Sequence, residues 1–195
     1  MLIAIILWVG VLAALSALVA GGIFAFSTIV LRGLRSLPMA DSIRAMNAIN
    51  RVAAKPLKLL LFGTALLCLV LAVALIWSWG HWTHQAELGA AIVIAGGVAY
   101  VLGAVTVTLE RNVPLNKLLD TATDASGAMV WRIYLRDWAK WNHVRTIACA
   151  AACALLVAGM VLHTFGITRR TIMEWPPPIM CPDVICVACQ DGKTD

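Results

Sequence analysis

Charge is scarce in this chain. Only 13% of its 195 residues are Asp, Glu, Lys or Arg, while 62% are hydrophobic, well above the roughly 45–50% apolar content of soluble domains. That shortage excludes an ordinary soluble globular domain. Acidic residues are fewer than basic ones, 10 against 15. The resulting net charge of +5 reads as membrane topology and contact with anionic lipid, with no nucleic-acid partner. There is no P-loop, dinucleotide fingerprint, H-E-x-x-H or nucleophile elbow, and no haem or flavin signature. Nothing therefore points to nucleotide-dependent chemistry or to a motif-bearing hydrolase.

What the chain has instead is hydrocarbon. Four runs meet the length of about 20 apolar residues that a membrane span needs: Leu2–Leu31, Leu57–Trp77, Leu88–Leu109 and Val144–Phe165. The first lacks a basic n-region and a separate cleavage site, and is too long for an h-region, so it reads as a helix rather than a signal peptide. The expected architecture is all-α: a four-helix transmembrane bundle over residues 1–168, with an amphipathic interfacial helix before the last span. Residues 169–195 form a Cys-containing tail, expected to be flexible.

Orientation follows from Lys and Arg, which are enriched in cytoplasmic loops. Arg32, Arg35, Arg44, Arg51, Lys55 and Lys58 follow the first run, and Arg111, Lys117, Arg132, Arg136, Lys140 and Arg145 occupy the third connection. The Ser78–Glu87 turn has none. Loops 32–56 and 110–143 are thus expected on the cytoplasmic side of a bacterial inner membrane, with the termini outside.

Cysteine divides into two groups. Cys68, Cys149 and Cys153 lie in the apolar runs, where Cys acts as a small hydrophobe. Cys181, Cys186 and Cys189 show C-x4-C-x2-C spacing in the tail, three thiols against the four ligands of a structural zinc. A disulfide, a metal site and an unstructured tail all remain open there. His81, His84 and His163 share the outer side, either as interface histidines or as metal ligands.

Small residues suggest where helices meet. Gly10, Ala14, Ala17, Gly21 and Thr28 form a stripe on the first run, and Gly89, Gly96 and Gly103 recur every seven residues on the third; such stripes let membrane helices approach closely. One further step of seven lands on Glu110. Since a heptad drifts only about 20° per repeat, Glu110 is expected to face the bundle, the alternative being a solvated charge at the helix end.

The segment from Glu110 to Thr146 holds most of the chemistry. Pro114, in Asn112-Val113-Pro114-Leu115-Asn116, predicts a break or bend, or a helix stop capped by Asn. Beyond the polar turn 120–127, Trp131, Tyr134, Leu135, Trp138, Trp141, Asn142 and Arg145 fall within one helical arc of about 120°. Arg132, Arg136, Lys140 and His143 take the other side. The aromatic face reads either as an anchor or core, or as the wall of a binding site. Met46, Ile49 and Asn50 share a face that, with Asn116 and Asn142, is expected to line a vestibule.

Together with Ala25-Phe26-Ser27, Met46-Asn47-Ala48-Ile49-Asn50 and Phe62-Gly63-Thr64-Ala65, the N-V-P-L-N and W-N-H-V-R-T motifs of residues 112–116 and 141–146 resemble the anthrone oxygenase-like family of small integral membrane proteins. The resemblance spans roughly residues 21–165. It implies oxidation of an anthrone to the anthraquinone by molecular oxygen with no cofactor. Such a reaction needs a base, donors for an oxyanion and apolar walls. On that reading His143 is the base with Glu110 second. Arg145, Asn112, Asn116 and Asn142 polarise the carbonyl, Trp138, Trp141 and Tyr134 stack on the substrate, and Asn50 adds a contact. An Arg145–Glu110 ion pair across two helices is the structural alternative.

The expected partner is a small apolar aromatic substrate or a lipid, with homo-oligomerisation left open. The rival to the oxygenase is a non-catalytic membrane protein that binds a lipid or apolar ligand, or assists a partner complex. A transporter is disfavoured by four helices without an inverted repeat.

Overall fold

The computed structural model describes residues 2–173, so Cys181, Cys186 and Cys189 lie outside the described residues. The described residues are helical apart from three short turns, without strands. Four helices are long and apolar enough to cross a membrane: α1 (Ile3–Leu34), α2 (Met39–Trp77), α3 (His84–Asp120) and α4 (Gly127–Arg169). They run up and down through short turns. Ser42 Oγ donates to the Leu34 carbonyl at 2.6 Å across the first turn. Gly80 takes a positive φ of 85° in the second, and Thr83 caps α3 by accepting from Ala86 N–H at 3.2 Å.

These helices outrun their apolar runs. The 39 residues of α2 extend about 58 Å at 1.5 Å per residue, against a hydrocarbon core of about 30 Å. The excess lies at one end of the bundle, where the connections 32–56 and 110–143 are mostly helix. A separate core forms there from Leu31, Leu34, Met46, Leu119, Trp131, Tyr134 and Trp138. The aromatic face before the last span is therefore buried against neighbouring helices, and its segment is continuous with α4. Pro114 breaks nothing, because the widened turn over Thr108–Asn112 immediately before it gives the proline ring room and α3 continues.

Helix α4 packs along α3 and α1, while α2 rests against α3 and α1. The α3–α4 seam is made of glycine. A Cβ at Gly89 would run into the His163 backbone, one at Gly96 would come within 3.2 Å of the Ala152 carbonyl oxygen, and one at Gly103 would collide with Ala148 Cβ. The heptad stripe of α3 is the close-approach face that its spacing predicts. The stripe on α1 is not. Ala14, Ala17 and Gly21 are exposed, and Val9, Leu12, Ser16, Val19, Ile23 and Ser27 face the bundle instead. A helix apolar all round carries no signal to say which side meets protein and which meets lipid.

Candidate functional site

Among the described residues four π-helical turns interrupt the bundle, and all lie toward the extended end: Phe26–Val30 in α1, Val101–Thr106 and Thr108–Asn112 in α3, and Tyr134–Trp138 in α4. Such turns are rare and concentrate at functional sites. Each extra residue rotates the remainder of its helix by about 100°. One of them spans Gly103 and a second follows at Thr108–Asn112, so the heptad register is lost before Glu110. Glu110 is consequently exposed, and Asn112 takes the inward position at 1% exposure.

Around that position the structure gathers buried polar groups. Asn142 (1% exposed) donates through Nδ2 to the Ile23 carbonyl at 2.7 Å and to Ser27 Oγ at 2.6 Å, tying α4 to the widened part of α1. Asn112 Nδ2 donates to the Trp138 carbonyl at 3.5 Å. The Tyr134 hydroxyl donates to Asn116 Oδ1 at 2.9 Å and accepts from Asn50 Nδ2 at 3.5 Å, joining α2, α3 and α4 at one atom. Above and below it, Trp131 and Trp138 stack on the Tyr134 ring with centroids 5.8 and 5.4 Å away.

Arg145 follows Asn142 by about one turn on the same face of α4 and is 3% exposed. The described ion pairs, Arg44–Asp41, Arg51–Asp120 and Arg136–Asp137, all lie elsewhere. Among the described residues Arg145 has no carboxylate partner and no hydrogen bond, and its Nε is buried. Among titratable side chains, Cys149, Tyr100 and Tyr134 are in electrostatic reach of it. Asn112 Oδ1 and the Trp138 indole N–H are likewise buried without partners. One cation, one donor and one acceptor are thus held ready in an apolar setting, where an uncompensated charge costs several kcal/mol.

The expected site residues separate into three groups. Asn50, Asn112, Asn116, Tyr134, Trp138, Asn142 and Arg145 share the polar layer. Trp141 lies at its edge, half-buried, with Arg111 and Lys140 over its ring. His143 and Glu110 are exposed and stand outside it, and no Arg145–Glu110 pair forms. Ser27 and Tyr100 belong to the layer, although their residue types carried no expectation of a role. The signal for Ser27 lay in the Ala25-Phe26-Ser27 motif, a polar residue in a helix otherwise nearly all apolar.

At the opposite end, His163 is 2% exposed. Its Nδ1 lies 2.7 Å from the Ala86 carbonyl oxygen, and Trp82 meets its ring edge-on at 4.8 Å. Among the described residues no three His, Cys, Asp or Glu side chains converge as metal ligands, so the His81, His84 and His163 cluster does not form.

Comparison with known proteins agrees with the motif reading. No curated protein matches the chain, and no solved structure does. The family model for anthrone oxygenase matches residues 57–155, from the apolar half of α2 through the polar layer into α4. The chain belongs to the anthrone oxygenase family.

Proposed function

We propose that this protein is a membrane-bound oxygenase that converts an anthrone-like, or similarly activated polycyclic phenolic, carbon acid with O2 and without an organic cofactor. The observation that carries this reading is Arg145, a buried cation with no acidic partner among the described residues. A buried charge of that kind in a membrane helix is a functional hypothesis by default. It suits a ligand that becomes anionic during the reaction.

An anthrone loses a proton from the methylene carbon opposite its carbonyl to water, and through it to the exposed His143 at the rim, leaving an enolate whose charge rests on oxygen. The Arg145 guanidinium stabilises that oxyanion, with the Trp138 indole N–H as a second donor. Both are in place before the charge develops, which is what makes such groups effective. The carbanionic carbon reduces O2 to a carbon-bound peroxide, which takes up a proton. Loss of water then leaves the new carbonyl. One oxygen atom enters the quinone and the other leaves as water.

His143 follows Asn142 directly but faces outward, so its part is proton exchange at the rim. Glu110 has the same placement. We further propose that the polar end is cytoplasmic, in line with the basic residues gathered there.

The test is oxygen uptake by detergent-purified protein supplied with a simple anthrone, beside Arg145→Met and with metal content determined on the same sample. Uptake above the spontaneous rate, lost in the variant, supports the oxygenase. Well-folded protein with no excess uptake favours the non-catalytic reading, in which the same cluster binds a lipid or apolar ligand.

A further inference from the structure

The basic residues at the polar end differ in their surroundings. Arg44, Arg51 and Arg136 each reach a carboxylate. Arg111 from α3 and Lys140 from α4 form no ion pair among the described residues, Asp137 acting on Lys140 only at longer range, and both lie over one indole. Arg111 Cζ is 4.9 Å from the Trp141 ring centroid and Lys140 Nζ is 5.4 Å from it. Both cations are exposed. Glu110, adjacent to Arg111, is exposed and pairs with neither. The ring attracts each cation but does nothing to relieve their repulsion of one another. An anion near both does.

Apolar surface begins immediately below. Lys140, Val144, Ile147 and Ala151 follow one another at helical spacing on α4, and all are exposed, Ile147 at 69%. Leu109, at 50% exposure, precedes Arg111 on α3. A ligand that answers both features is amphiphilic, with an anion at one end and hydrocarbon at the other.

We propose that Arg111, Lys140 and Trp141 hold the phosphodiester headgroup of an anionic glycerophospholipid, whose acyl chains lie along Val144, Ile147 and Ala151. The indole sits at headgroup depth, where Trp is enriched, and the cations flank the phosphate. This site is distinct from the buried Arg145 layer and does not depend on its chemistry.

Native mass spectrometry of the full-length protein in detergent provides the test, using phosphatidylglycerol and phosphatidylcholine of identical acyl chains, with inorganic phosphate as a competitor. At about fivefold per headgroup-near cation, the two together give phosphatidylglycerol a preference of about thirtyfold. Arg111→Gln with Lys140→Gln removes most of that preference, and Arg111→Lys with Lys140→Arg keeps it. Raising the salt concentration lowers it in the unaltered protein, a readout independent of whether any variant folds. Equal binding of the two lipids, a preference untouched by the glutamine pair in folded protein, or a preference insensitive to salt would each overturn the proposal. Displacement of phosphatidylglycerol by millimolar inorganic phosphate would also overturn it, by showing a site for free anions rather than for a lipid.

Discussion

Asn142 donates to the main-chain carbonyl of Ile23 at 2.7 Å, across a separation of 119 residues. The bond joins the start of the last apolar run to the place where α1 widens. It also satisfies a backbone oxygen where water is scarce. Replacing Asn142 with Ala removes the donor to that oxygen and to the Ser27 hydroxyl together. The expected cost is about 1–3 kcal/mol, read as a lower midpoint of thermal unfolding in detergent. An unchanged midpoint would show that the amide is dispensable to the fold.

Arg145→Met separates function from stability by sign. Removing an uncompensated buried charge leaves stability unchanged or raises it by up to about 4 kcal/mol. Anthrone-dependent oxygen uptake falls by about 100-fold or more, the loss typical of a missing oxyanion donor. A variant that loses both stability and uptake would mark Arg145 as a structural residue.

The two stripes of small residues predict opposite outcomes. Gly103→Val forces a branched side chain into Ala148 and is expected to cost about 1–3 kcal/mol or more. Gly21→Ala meets no atom within 4 Å and is expected to stay within about 0.5 kcal/mol of the unaltered protein. Comparative unfolding in one detergent checks both, and an equal cost for the two would contradict the seam.

His143→Ala offers the sharpest check on where protons move. A general base at the reacting carbon contributes about 100-fold to 10,000-fold. From its exposed position His143 is expected to contribute less than about tenfold, measured as kcat/KM for oxygen uptake. A larger loss would place its imidazole against the substrate.

The fold was legible because four long apolar runs leave few alternatives, and the glycine heptad of α3 named its own partner face. Three features were hidden. The π turns have no residue signature, yet they decide that Asn112 rather than Glu110 turns inward. The orientation of α1 depends on a choice between two apolar faces, which hydropathy cannot separate. The helical extensions carry polar and basic residues that read as loops, while their buried sides need the aromatic arc, Met46 and Leu119 to be seen together. Within the site, Trp131, Tyr134, Trp138, Asn142 and Arg145 are buried as the periodicity of the arc predicts, and Leu135 and Trp141 are half-buried at its edge. The role of His143 as base rested on motif chemistry alone, and nothing in the spacing fixed its depth.

The glycine contacts along α3 and α4 also determine which part of the bundle can yield. The close backbone approach along this seam leads us to expect that α3 and α4 move as one unit. Helices α1 and α2 are held to it through side chains, which slide at lower cost. On the proposed function, a flat substrate is expected to reach Arg145 by parting α1 or α2 from that pair. Backbone amide exchange should report the same division, slowest along α3 and α4.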